Sequence, residues 1–216
     1  VRTGCGKSQT TRRVTDILRE KGHEVAVIRH PMPYGDLAKQ RSQKFEDYSD
    51  LDRHNCTIEE REEYEPHIDR GNIVFAGVDY EEILKQAEKE ADVIVWDGGN
   101  NDFPFYKPDY SIVLADPLRA GHERCYYPGN ISIRLADLML INKIETATPA
   151  QVNEVRESIS EFNPEAEIME AASPLTVEDT DVIRNKEVLV LEDGPTVTHG
   201  GMEYGAGTLA ARKYRA

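Results

Sequence analysis

The residues with the most definite chemistry open the chain: Arg2-Thr3-Gly4-Cys5-Gly6-Lys7-Ser8. Glycines allow backbone N–H groups to turn inward on an anion, a lysine reaches the β- and γ-phosphates of a nucleotide, and a hydroxyl ligates magnesium. Gly4, Gly6, Lys7 and Ser8 meet these needs, with Cys5 and Gln9 completing the nucleotide-contacting set. A second signal is Val93-Ile94-Val95-Trp96-Asp97, an apolar run ending in a carboxylate, which places an acid beside the magnesium shell. Ser8 and Asp97 are the candidate metal ligands; Arg2, Lys7 and Asp97 are the candidate catalytic groups. A Gly-rich turn before an ordinary helix, or a plain strand cap, would explain either signal alone. Together they favour a site for a nucleoside triphosphate, ATP or GTP, with Mg2+.

A third signal is Asn142-Lys143-Ile144-Glu145, which follows the apolar run Leu138 to Ile141. It is similar to the N-K-x-D base-recognition motif of GTPases, with one extra methylene at Glu145. Ser173, after the next short run, falls where the loop flanking the base would lie. Further polar groups cluster at other strand ends: Arg29 and His30, then the amide pair Asn100 and Asn101 behind two glycines, then Arg119 and His122. They are candidates for binding a small acidic phosphorylated substrate. The stretch from Glu192 to Met202 combines acids, hydroxyls and glycines and reads as a binding loop rather than a linker.

The elements that position these groups follow from hydrophobic spacing. Val14, Ile17 and Leu18 recur at helical intervals after Lys7, and Lys21-Gly22 ends the pattern. Tyr80 to Glu90 and Pro149 to Phe162 are further helices, and Thr57 with Glu60 forms a capping box. Glu24 to Arg29, Ile73 to Phe75, Val93 to Trp96, Ser111 to Ala115, Leu138 to Ile141, Ile168-Met169 and Val188 to Leu191 are short apolar runs, each a candidate buried strand. The charged segment 34–69 is expected to lie mostly on the surface. Alternating strands and helices predict an α/β fold with a doubly wound, mostly parallel sheet, whose ligands sit at the carboxyl ends of the strands.

With 216 residues, one domain spanning 1–216 is expected. Because the chain starts inside a motif that normally follows a buried strand, it reads as an excerpt of a longer polypeptide lacking that strand. The 26 basic against 40 acidic residues, a formal charge of -14, argue against nucleic acid as the main partner. No run suits a membrane span, and three scattered cysteines without a C-x-x-C pair fit a reducing cytoplasm. A homo-oligomer is left open.

The phosphate loop resembles the variant P-loop type in which a basic residue and a glycine precede G-K-[ST]. Arg2 then stands at the signature cation, while Thr3 replaces the glycine and Val1 replaces the first glycine of the usual pattern. The longer motifs R-T-G-C-G-K-S-Q-T-T-R, V-I-R-H-P-M-P-Y-G-D-L, V-W-D-G-G-N-N-D-F-P-F, I-N-K-I-E-T-A and E-D-G-P-T-V-T-H-G-G-M resemble cyclic 2,3-diphosphoglycerate synthetase and the predicted GTPases grouped with it. That resemblance implies ATP-dependent ring closure of 2,3-diphosphoglycerate to an intramolecular phosphoanhydride, releasing ADP and phosphate. It would give Lys7, Arg2 and magnesium the transferring phosphoryl group, and Arg29, His30, Asn100 and Arg119 the acidic substrate. The rival readings are a regulatory or metal-delivery GTPase and a nucleotide-binding module whose catalytic groups lie elsewhere. Under either enzyme reading Lys7→Ala is expected to abolish nucleotide turnover, measured as phosphate release; turnover retained in that variant would remove the lysine from the site.

Overall fold

The structure, a computed structural model, describes residues 2–30, 32, 35–99, 103–192, 194–198 and 200–216. It contains two compact units: Lys7–Lys107, and Pro108–Ala216 together with Val1–Gly6. The sequence reads as one mostly parallel sheet, whereas the described strands divide between two sheets.

The Lys7–Lys107 unit runs α1 (Lys7–Glu20), β1 (Val25–Arg29), β2 (Gln43–Phe45), α2 (Tyr48–Arg53), α3 (Ile58–Ile68), β3 (Ile73–Ala76), α4 (Tyr80–Ala87) and β4 (Val93–Asp97). The sheet order is β2-β3-β1-β4, with β1 parallel to both neighbours and β2 antiparallel to β3. Val25, Ala26, Val27 and Ile28 are all buried, the continuous apolar run of a strand covered on both faces. Register places Arg29 opposite Asp97 at the carboxyl ends of β1 and β4. The predicted capping box opens α3, where Thr57 and Glu60 satisfy each other's backbone N–H groups.

The second unit runs β5 (Ile112–Ala115), a 3-10 turn Pro117–Arg119, α5 (His122–Cys125), α6 (Gly129–Leu135), β6 (Leu138–Ile141), α7 (Pro149–Phe162), β7 (Glu167–Glu170), α8 (Pro195–Thr198) and α9 (Ala206–Tyr214). Its sheet is parallel throughout, in the order β5-β6-β7. Helix α7 has the predicted bounds, with Thr148 and Gln151 in a reciprocal cap and Pro149 at its first turn. Ile133, Met139, Ile141, Val155 and Ile159 are completely buried in one cluster.

Three expectations need correction and one needs refinement. The 34–69 segment does lie mostly on the surface among its described residues, yet Phe45, Leu51, Tyr64 and Ile68 pack on Val74 and Ala76, so this charged stretch also roofs one face of the sheet. Ile168-Met169 does form a strand, but at the sheet edge, where Met169 is exposed. Val188 to Leu191 forms no strand; Leu189 is 87% and Leu191 82% exposed, because among the described residues no strand pairs with this run. The Tyr80 helix also ends at Ala87 rather than Glu90. All three cysteines are free, and among the described residues no helix is long and apolar enough to cross a membrane. Truncating Ile159 to Ala removes a fully buried side chain from the α7 core and is expected to cost about 2–5 kcal/mol in denaturant unfolding; a cost below about 1 kcal/mol would contradict this packing.

Candidate functional site

The phosphate turn is held by its carbonyl oxygens. Arg119 Nη2 donates to Thr3 O at 2.8 Å, Lys143 Nζ to Gly4 O at 2.6 Å and Asn142 Nδ2 to Cys5 O at 2.9 Å. In a trans peptide the carbonyl of one residue and the N–H of the next point in opposite directions. Tying three successive carbonyls therefore turns the N–H groups of Gly4, Cys5 and Gly6 away from those donors, and Cys5 N–H closes the turn on Arg2 O at 3.3 Å. The Cys5 side chain is fully buried with Leu114 and Leu140, which anchors the turn between the first two strands of its sheet. Gly6 has φ 106°, and a Cβ there would stand 2.3 Å from Asn142 Nδ2, so only glycine fits.

Asp116, at the end of β5, is the charge partner of both cations. Its Oδ2 lies 2.7 Å from Arg119 Nη2 and 3.2 Å from Lys143 Nζ, and the carboxylate is buried. Lys143 adopts φ 60°, a left-handed conformation unusual for lysine, and its ammonium reaches both Gly4 O and Asp116. Glu145 Oε2 accepts the backbone N–H of Ser173 at 3.0 Å, so the two base-loop candidates are brought together. The sequence pointed to Arg119 and His122 but not to Asp116, whose signal was its place directly after an apolar strand.

Arg2 stacks its guanidinium over the Tyr126 ring at 3.9 Å, and His122 lies against the same ring at 4.5 Å. Burial, then the charges of Arg2 and Arg119, push the His122 imidazole below its ordinary value. His122 is thus favoured in its neutral form, able to donate an N–H to an anion without adding charge.

In the Lys7–Lys107 unit, Lys7, Ser8 and Gln9 occupy the first turn of α1. Asp97 is 2% exposed at the end of β4, with Arg29 Nη1 2.7 Å from its Oδ2 and His67 Nε2 at 3.5 Å. Burial raises the Asp97 carboxyl, but hydrogen bonding to His67, the Arg29 charge and the Thr11 hydroxyl of α1 outweigh it, and the net effect is downward. An ionised buried carboxylate in the unit whose helix α1 carries Ser8 suits a divalent cation, with Arg29 already paired to its Oδ2. Among the described residues no three His, Cys, Asp or Glu side chains converge as a metal-binding group.

His67 is completely buried and was not singled out in the sequence, since a lone histidine in a charged segment carries no periodic signal. It connects Asp97 to Asn72, whose Nδ2 lies 3.4 Å from His67 Nδ1 and donates to Thr15 on α1 at 3.1 Å. Arg29, a substrate candidate, is engaged by Asp97 and Glu63. His30, the other, is exposed and meets Tyr80 OH at 3.1 Å and the Phe105 ring at 5.5 Å. Asn100 and Asn101 lie outside the described residues.

A carboxyl held below its ordinary value stabilises the fold while ionised, so the Asp97 contribution is present at neutral pH and lost as pH falls through and below 3.8. Asp97→Asn leaves Arg29 without its buried partner and is expected to cost about 3–5 kcal/mol at neutral pH. The gap between wild type and variant should narrow in acid when unfolding is measured across pH; a gap that stays constant would contradict the ionised assignment.

Residues 70–172 match the family model described as cyclic 2,3-diphosphoglycerate synthetase, P-loop domain. Arginine synthetase ArcE of Thermococcus kodakarensis is 62% identical over 216 residues, covering 100% of this chain and 48% of that protein. Cyclic 2,3-diphosphoglycerate synthetases of Thermococcus kodakarensis and Thermococcus sibiricus are each 29% identical, over 45% and 52% of this chain and 21% and 26% of their own lengths. The chain thus spans about half the length of the first relative and a smaller part of the other two. A crystal structure of HypB from Helicobacter pylori in complex with nickel aligns with a TM-score of 0.46 at 18% identity, over 78% of this chain and 74% of that one, too low to carry an argument. The resemblance read from the motifs is thus met by a match to the P-loop domain model of cyclic 2,3-diphosphoglycerate synthetase, which covers residues 70–172 of this chain.

Proposed function

We propose that this chain supplies the nucleoside triphosphate site of a synthetase that activates an oxygen of a small molecule by phosphoryl transfer, with arginine as the product. The observation that carries this reading is the 62% identity over the whole chain with a protein named arginine synthetase. A γ-phosphoryl group placed on a ureido oxygen makes phosphate a leaving group, and displacement by ammonia gives a guanidinium, ADP and phosphate. Nothing in that chemistry needs a covalent enzyme intermediate; it needs positioning and charge stabilisation, which a phosphate loop provides.

The residues divide accordingly. Backbone N–H groups of the turn take phosphate oxygens, Lys7 offsets charge on the transferring phosphoryl group, and Arg2 is a second cation for it. Asn142 and Lys143 brace the turn from behind, while Glu145 with Ser173 forms the base side of the nucleotide site. Magnesium would be held by Ser8 and Asp97 and would supply charge neutralisation between the β- and γ-phosphates. In the unit that holds the phosphate turn, the neutral His122 imidazole is a group able to contact the acceptor.

A second reading, ring closure of 2,3-diphosphoglycerate, is favoured by the family match over residues 70–172. It uses the same first step, with a substrate phosphate as the acceptor oxygen and its neighbour as the displacing group. The two are separated by assaying the full-length protein with ATP. Arginine formed from a ureido amino acid and ammonia, seen by mass spectrometry, is the expected result. A cyclic product visible by phosphorus NMR with 2,3-diphosphoglycerate would select the second reading, and GTP hydrolysis indifferent to both acceptors would sink both.

A further inference from the structure

The sequence offers Arg119 as a substrate cation, but its guanidinium is only 6% exposed and its donors are committed inside the fold. Nε and Nη2 bond Asp116 Oδ2 at 3.2 and 2.7 Å, Nη2 also bonds Thr3 O at 2.8 Å, and Nη1 bonds Gly200 O at 3.1 Å. One planar group therefore joins a strand end, the phosphate turn and the 194–202 segment. The fork geometry of arginine permits this, whereas a lysine ammonium in the same place lacks a planar set of donors aimed in three directions.

The 194–202 segment is tethered at two ends. Before it, Glu192 Oε1 accepts from the backbone and hydroxyl of Thr208 at 2.8 and 2.6 Å, fixing it to the first turn of α9. Within it, Val197 N–H bonds Gly194 O and Met202 N–H bonds Thr196 O, each at 3.0 Å, so the described residues 194–198 and 200–202 are held by hydrogen bonds of their own. Its outer tether is Gly200 O on Arg119. Thr196 also lies against the turn so closely that a Cβ on Gly4 would stand 1.8 Å from its Cγ2. Gly4, with φ 68°, is thus required both by the turn and by the segment that covers it.

We propose that Arg119 is a positioning residue that couples the phosphate turn to the 194–202 segment, so that a triphosphate on the turn tightens the segment against it. When phosphate oxygens accept the turn's N–H groups, the linked carbonyls polarise and become stronger acceptors. Thr3 O then holds Arg119 more firmly, and the same guanidinium holds Gly200. Coupling of this kind is reciprocal: loosening the segment weakens nucleotide binding by the factor that nucleotide tightens the segment. The inference rests on the nucleotide-binding reading above and assigns Arg119 a task other than touching substrate.

Hydrogen exchange of the protein, with and without magnesium and AMP-PNP or GMP-PNP, tests it. In the wild type, nucleotide is expected to slow exchange across 194–202 about tenfold or more, with α7 as the unchanged reference. Arg119→Lys is expected to bind nucleotide about tenfold more weakly, the scale of a lost buried charged hydrogen bond, and to lose the protection of 194–202 even at saturating nucleotide. Wild-type binding without protection of the segment overturns the inference, as does a lysine variant that keeps both affinity and protection. Should the variant fail to fold, the wild-type measurement decides alone. Absence of any nucleotide binding by the wild type would instead overturn the nucleotide reading, and this inference with it.

Discussion

Three consecutive carbonyl oxygens, on Thr3, Gly4 and Cys5, are each taken by a side chain, and the rest of the site follows from that constraint. A short glycine-rich turn has many conformations of similar energy, most of which point some carbonyls toward an incoming anion. Donors from Arg119, Lys143 and Asn142 remove those conformations before any ligand arrives. The turn is preorganised, so the ordering cost that would otherwise weaken binding is met during folding. The Asn-Lys pair read as a base-recognition signal therefore braces the phosphate turn, and Glu145 is left as the group of that motif nearest the base loop through Ser173.

Local charge decides where anions go, even in a chain of formal charge -14. Asp116 balances Arg119 and Lys143 within hydrogen-bonding distance, so a buried arginine and a half-buried lysine can stand behind the turn at a tolerable desolvation cost. Asp97 is balanced by Arg29 with His67 behind it, which keeps a buried carboxylate ionised. In both places a strand-end aspartate is the organising group. The cations that the sequence offered to a second substrate, Arg29 and Arg119, are instead occupied in holding these carboxylates.

Local rules carried far in the sequence because they were decided by neighbours a few residues away. The phosphate turn, α1, the Thr57 capping box and the bounds of α7 depend on glycine spacing, apolar periodicity and caps, all of which act within a turn or two. What could not be read depends on partners distant in the chain. Val188 to Leu191 is as apolar as β6, but a run becomes a buried strand only if another strand lies beside it. The 34–69 segment hides four core residues among many charges, and only the apolar face of β3 that they cover explains why they turn inward. His67 became visible only when folding set it between Asn72 and Asp97.

The central claim is that a phosphoryl group passes to an acceptor oxygen, which then departs with it. The direct measurement is oxygen-isotope transfer, using the full-length protein, ATP and an acceptor carrying 18O at the oxygen to be displaced. The account predicts that the label appears in the released inorganic phosphate, whether the acceptor is a ureido carbonyl or the phosphate of a diphosphorylated acid. Label retained in the organic product, with phosphate oxygen drawn from water, would contradict it.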